Sequence, residues 1–231
     1  MPVRYYTQNE WTVKENESFA LRETLRKYLN HFRHNDEIRL SNKRKDLNGK
    51  DVYSKNSLPE LDRYPFIHLS FDEINELATA LKYIQKRIKR REDNHTTFKF
   101  IDAGCGVGWV LCYLGCLTNN IRFYGVELNK ENVSVAESVS NNIKQGNILE
   151  YDFSKYDFIY YYCPIDNTHL QRKFEERLEN TCKVGAIIFP YLKKSDKIRK
   201  DNRFKNKYVV IPNYECMGLN KRFYYWEKVK E

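Results

Sequence analysis

No stretch of this 231-residue chain approaches the run of about 18 apolar residues that a membrane span needs. The N-terminus, MPVRYYTQNEWTVKENE, lacks the apolar core of a secretory leader, so secretion and membrane insertion are not expected. There is also no C-x-x-C pair. The six cysteines (Cys105, Cys112, Cys116, Cys163, Cys182 and Cys216) are scattered through apolar segments of a chain too long to need stapling. They are expected to be reduced, mostly buried thiols of a cytoplasmic protein. His31 with His34, and Cys112 with Cys116, lack the further ligands of a zinc site, so no metal is expected. Internal repeats and low-complexity tracts are absent, and only 9 glycines occur, so a cluster of them is informative.

What is present is a 41% hydrophobic, 31% charged composition with a formal charge of +9, enough for one sizeable core and suggestive of an acidic partner. The charge is uneven. Residues 1–95 carry 19 basic and 15 acidic side chains, residues 96–190 carry 9 and 11, and residues 191–231 carry 12 and 5. Basic runs lie at Lys43–Lys45, at Lys86–Arg91 and over Lys193 to Lys207; flanking a neutral middle, they favour a polyanionic substrate or a nucleic-acid assembly.

Residues 1–69 are expected to form a helical and loop extension, with Leu21, Leu25, Tyr28, Leu29 and Phe32 at helical spacing. A second helix follows, with Ser70 and Glu73 as a capping box and Ile74, Leu77, Leu81, Ile84 and Ile88 as its apolar stripe. From Phe98 onward, short apolar runs alternate with helical patterns, the signature of a parallel sheet with crossover helices. Strands are expected at Phe98–Ala103, Ile121–Val126, near Ile143, Phe158–Cys163 and Val184–Phe189. Helices are expected at Trp109–Leu117, after Asn129 with Val133, Ala136 and Val139 inward, and around Leu170, Phe174 and Leu178. A basic helix or loop fills 193–205, and Tyr208–Ile211 and Arg222–Val229 form an antiparallel pair.

In FKFIDAGCGVGWV, the first strand runs into Asp102 and then Gly104, Gly106 and Gly108 before a helix starts. Glycine at alternate positions lets the backbone turn sharply and approach a ligand, and the helix behind it presents its positive end. A dinucleotide fingerprint would want its third glycine where Trp109 stands, and Asp102 is a poor neighbour for a pyrophosphate.

This D-A-G-C-G-V-G turn resembles the first motif of the class I S-adenosylmethionine-dependent methyltransferases. A second element matches it: in YGVELN, Glu127 lies 19 residues after Gly108, where the family's acidic residue accepts the ribose hydroxyls. The resemblance covers residues 70–231 and implies a doubly wound, seven-stranded, mostly parallel Rossmann-like α/β sheet. It implies S-adenosylmethionine as cofactor, held by Asp102, Gly104, Cys105, Gly106, Gly108, Glu127, Leu128, Asn147 and Ile148. Asn147 would face the adenine edge and Ile148 its ring, with Asp152 competing for the first role and a Gly146–Asn147 turn as the plain alternative.

The family places the acceptor at the end of strand four, here Tyr160, Tyr161, Tyr162, Cys163, Pro164, Ile165, Asp166, Asn167. Tyr162, Cys163 and Pro164 are therefore the catalytic candidates. The double-proline motif of amino-methylating nucleic-acid enzymes and the Pro-Cys order of cytosine-C5 enzymes are both missing. An aromatic, weakly charged strand end suits an amine by cation–π contact and desolvation, and it is similar to the non-SET lysine methyltransferases of this fold. The expected partner is a macromolecular methyl acceptor, with protein preferred slightly over RNA. A catalytically inactive cofactor- or RNA-binding subunit and a nicotinamide-dependent oxidoreductase are the rival readings. Asp166 is expected to open the helix after strand four.

Overall fold

The computed structural model describes residues 71–89, 97–137, 142–165, 167–212 and 220–231. All fall in one unit of the chain, Leu61–Glu231. The extension over 1–69, the Ser70 cap, Arg90, Arg91, Val139, Asp166 and Cys216 lie outside the described residues.

Helix α1 (Phe71–Lys89) buries Ile74, Leu77, Leu81 and Ile84, while Ile88, expected in the same stripe, is half-buried near the helix end. Seven strands follow in one sheet: β1 (Phe98–Ala103), β2 (Ile121–Glu127), β3 (Ile143–Gln145), β4 (Phe158–Tyr162), β5 (Ile187–Tyr191), β6 (Phe204–Pro212) and β7 (Asn220–Lys228). Helices α2 (Trp109–Leu117), α3 (Lys130–Glu137), α4 (Thr168–Thr181) and the single turn α5 (Lys197–Lys200) connect them. The order is β3-β2-β1-β4-β5-β7-β6, parallel except for β7, which pairs antiparallel with β5 and β6 at one edge. This is the seven-stranded, mostly parallel α/β sheet that the resemblance implies, with the order reversing between β1 and β4. Among the described residues no helix is long and apolar enough to cross a membrane.

Side chains alternate across the sheet, and each face has its own core. One face stacks aromatics: Phe98 on Phe158, Phe100 on Tyr160, and Phe189 on Phe223 and Tyr225. Helix α1 lies on this side, where Arg87 donates to the Tyr225 hydroxyl. The other face gathers Ile101, Ala103, Ile159, Tyr161 and Ile188 with Phe174 and Leu178 of α4.

Several boundaries differ from the sequence reading, most by one or two residues and four of them for a reason the structure shows. Strand β5 starts at Ile187 rather than Val184, because Gly185 takes a left-handed φ of 87° and turns the chain first. Strand β6 starts at Phe204 rather than Tyr208, since pairing with β7 from Phe204↔Lys228 onward recruits polar residues that periodicity does not mark. Strand β4 stops at Tyr162, because Cys163 takes φ 37°. Helix α4 is opened by Asn167, whose side-chain oxygen accepts from the backbone N–H groups of His169 and Leu170.

Pairing between β5 and β7 is confined to Ile187↔Glu227 and Ile188↔Trp226. Pro190 has no N–H to extend the ladder, and beyond it the two strands part. The gap is a cavity of about 250 Å³ lined by Glu73 and Glu76 of α1, Tyr191 of β5, and Lys221, Phe223 and Tyr224 of β7.

Candidate functional site

At the C-terminal end of β1, backbone hydrogen bonds from Gly104 N and Cys105 N to the Val126 carbonyl (2.8 and 3.1 Å) tie the glycine turn to β2. Gly104, Gly106 and Gly108 all have positive φ (83°, 54° and 79°), a region that side chains with a Cβ enter at a cost. Gly104 answers a neighbour within the fold: a Cβ there would overlap the Cβ of Pro164, the candidate after β4. The turn is thus packed directly on the end of strand four. Gly108 is the left-handed residue that starts α2, which has no side-chain cap and no acidic residue in its first turn.

Glu127, at the end of β2, closes the arrangement. Its Oε2 accepts from Gly106 N (3.0 Å) and its Oε1 from Asn129 N (2.8 Å), so one carboxylate fixes both the middle of the glycine turn and the entry to α3. The Asn129 side chain in turn caps α3, accepting from Glu131 N at 2.8 Å. Each Glu127 oxygen keeps a further lone pair, the acceptor pattern that suits a vicinal diol.

Asp102 stands beside this turn, only 3% exposed, opposite Gly125 on β2 and Tyr160 on β4. Burial first, and then the negative charge of Glu127, push its carboxyl well above the usual carboxylate range. The sign for stability follows. The unfolded chain loses this proton near pH 4, while the folded protein retains it to higher pH, so folding stability falls as pH rises through that window and stays reduced above it. Asp102→Asn is therefore expected to raise the melting temperature of the ligand-free protein at neutral pH, with the gain shrinking towards pH 4. Denaturation scans across that range check it, and a variant less stable than the wild type at pH 7 would contradict it.

The remaining cofactor candidates are placed as follows. Cys105 is buried, its Sγ directed at the Gly106 carbonyl. Leu128 is half-buried, and its carbonyl accepts from Gln145 Nε2. The amide of Asn147 is engaged in its own turn, Oδ1 accepting from Leu149 N and Nδ2 donating to Glu150, which is the plain alternative of the sequence reading. Ile148 joins the core on the α4 face. Asp152 caps a turn at Ser154, whose N–H lowers its pKa. Trp109 is buried and stacks on Tyr113, filling the position where a dinucleotide fingerprint needs glycine.

Of the catalytic candidates, Tyr162 is half-exposed and stacks on Tyr191 at 5.7 Å. Cys163 is buried, with its thiol directed at the Ile165 carbonyl. Pro164 abuts Gly104. Sequence reasoning missed Tyr191, which the β4–β5 register sets opposite Tyr162, and it missed the two glutamates of α1 that line the adjoining cavity. Burial and the charges of Glu73 and Glu76 push the Tyr191 phenol up.

The basic segment over 193–207 is largely committed within the fold. Lys193 reaches Glu179 (2.5 Å) and Glu175 (3.3 Å), Lys197 reaches Glu176, Arg199 reaches Asp196, Arg203 reaches Asp201 and Lys207 reaches Glu227. Lys228, 1% exposed, donates to the Cys182 carbonyl at the end of α4.

No family model matches the chain, and neither does any curated protein sequence. Solved structures do resemble it. TrmN from Thermus thermophilus is 15% identical over 66% of this chain and 52% of its own, with a TM-score of 0.43, so the chain spans about half its length. An RNA methyltransferase from Salinibacter ruber, in complex with S-adenosyl-L-homocysteine, is 16% identical over 71% of this chain and 95% of its own (TM-score 0.45). Magnesium protoporphyrin IX methyltransferase from Synechocystis, with bound SAM, is 14% identical over 71% of this chain and 87% of its own (TM-score 0.41). The chain is similar to these proteins at low identity.

Proposed function

We propose that the chain is an S-adenosylmethionine-dependent methyltransferase. The observation that carries this reading is the Glu127 carboxylate, pinned by Gly106 N and Asn129 N beside a left-handed glycine turn and a buried Asp102. The donor set fits the group: Glu127 offers its remaining lone pairs to a ribose diol, Asp102 faces an ammonium rather than a phosphate, and a buried Tyr160 hydroxyl beside it lacks a partner. When bound, S-adenosylmethionine supplies an electrophilic methyl group on a sulfonium. What the protein must add is mostly position, holding a nucleophile on the axis of that methyl group.

We further propose a macromolecular acceptor, with a protein amine preferred over RNA. The Tyr162–Tyr191 stack supports an amine, since aromatic faces favour a cation; in the adjoining cavity Glu76 is already paired with Lys221, so the support comes from the aromatic faces. The internal pairing of the 193–207 segment removes much of the support for a polyanion. Calorimetric titration with S-adenosylhomocysteine and with NAD tests the cofactor, and binding of NAD alone would replace this reading with an oxidoreductase. Labelling of a fractionated lysate with a radioactive methyl donor tests the acceptor. Protease-sensitive label is the expected result, and nuclease-sensitive label would assign RNA. Tight cofactor binding with no label in any fraction would assign a non-catalytic subunit.

A further inference from the structure

Three consecutive tyrosines occupy β4, and their hydroxyls meet different surroundings. Tyr161 lies on the face covered by α4, where its hydroxyl hydrogen-bonds Glu175. Tyr162 is half-exposed against Tyr191. Tyr160 is 1% exposed, its ring held between Phe100 (centroids 6.2 Å) and Tyr191 (5.7 Å). Among the described residues its hydroxyl is the one buried side-chain oxygen or nitrogen without a hydrogen-bond partner.

Aromatic packing accounts for the ring but not for the hydroxyl. A phenylalanine would pack against the same neighbours and would not strand a polar group whose unpaired burial costs about 1–3 kcal/mol. The groups acting on this hydroxyl begin with Asp102, its register partner on β1, followed by Tyr191, Tyr162 and Glu73. Burial and those neighbours push the phenol well above its ordinary range, so it is a neutral donor and not a base. Among the described residues, the charged groups acting on Asp102 and Tyr160 are carboxylates. These carboxylates repel a lone anion, so only a ligand anion that brings its own cation to Asp102 could take the Tyr160 O–H as its donor.

We propose that the Tyr160 hydroxyl is a binding group for the amino-acid end of the methyl donor, donating to its α-carboxylate while the neighbouring Asp102 faces its α-ammonium. The assignment rests on the methyltransferase reading and deepens it. It gives the buried hydroxyl the partner that the fold does not supply, and it couples an anion and a cation of one ligand to two adjacent strands.

The test is Tyr160→Phe in the full chain, titrated with S-adenosylhomocysteine and with 5′-methylthioadenosine, which lacks the amino-acid end. Affinity for S-adenosylhomocysteine is expected to fall about tenfold or more, as for a lost hydrogen bond to a charged group. Affinity for 5′-methylthioadenosine is expected to stay the same, and the ligand-free melting temperature to stay equal or rise. Unchanged S-adenosylhomocysteine affinity, equal losses for both ligands, or a lower ligand-free melting temperature would each overturn the proposal while leaving the cofactor reading intact. A wild-type chain that binds neither ligand overturns that reading, and the Tyr160 assignment with it.

Discussion

Glu175→Ala is expected to destabilise the protein by about 3–5 kcal/mol, as does removing one partner of a buried ionic network. Glu175 is fully buried, yet it accepts from Gln171 Nε2 (3.0 Å), Lys194 N (2.9 Å), Ser195 N (2.6 Å) and Lys193 Nζ (3.3 Å), and from the Tyr161 hydroxyl. One carboxylate thereby ties α4 to β4 and to the segment after β5. Its removal leaves two backbone N–H groups, the Gln171 amide and a phenol without this acceptor and commits the Lys193 ammonium to Glu179 alone. Chemical denaturation measures the loss, with Lys197→Ala as the control. The Lys197–Glu176 pair is exposed (side chains 71% and 39%), and its loss is expected to stay within about 1 kcal/mol. A Glu175→Ala variant no less stable than that control would refute the network. Lys193 belongs to the same network, so neutralising it disturbs folding and cannot serve as a clean probe of polyanion binding.

Glu127→Ala is expected to lower affinity for S-adenosylhomocysteine at least tenfold, because two losses coincide. The charge-assisted acceptor for a ribose diol disappears, a term of about 1.5–3 kcal/mol. The hydrogen bonds that hold Gly106 N and Asn129 N also go, so the turn that shapes the site loses its brace. Glu127→Gln is expected to fall between, since an amide retains one acceptor oxygen but replaces the other with a donor. Calorimetry on both variants, after circular dichroism shows them folded, provides the measurement. Wild-type affinity in both would remove Glu127 from the site.

The sequence alone determined the strand-and-helix alternation from Phe98 onward, the glycine turn after Asp102 and the helix starts at Trp109 and after Asn129. These are local properties: period-two and helical apolar patterns, side-chain caps and glycine's access to positive φ act within a few residues. The spacing from Gly108 to Glu127 was also legible, because one βαβ unit of ordinary length brings the ends of two adjacent parallel strands together. Only the tertiary structure decided the rest, and in each case a distant partner is the reason. Gly104 is answered by Pro164, some sixty residues away, and the 193–207 lysines and arginines that read as a basic surface are largely claimed by carboxylates of α4, β7 and their own segment. Three successive tyrosines look alike in a sequence, but the pleat sends Tyr161 towards Glu175 and Tyr160 towards Asp102, so one hydroxyl is satisfied by the fold and the other is not. The amide of Asn147, which the resemblance sets at an adenine edge, hydrogen-bonds within its own turn, because the N–H of Leu149 lies only two residues on.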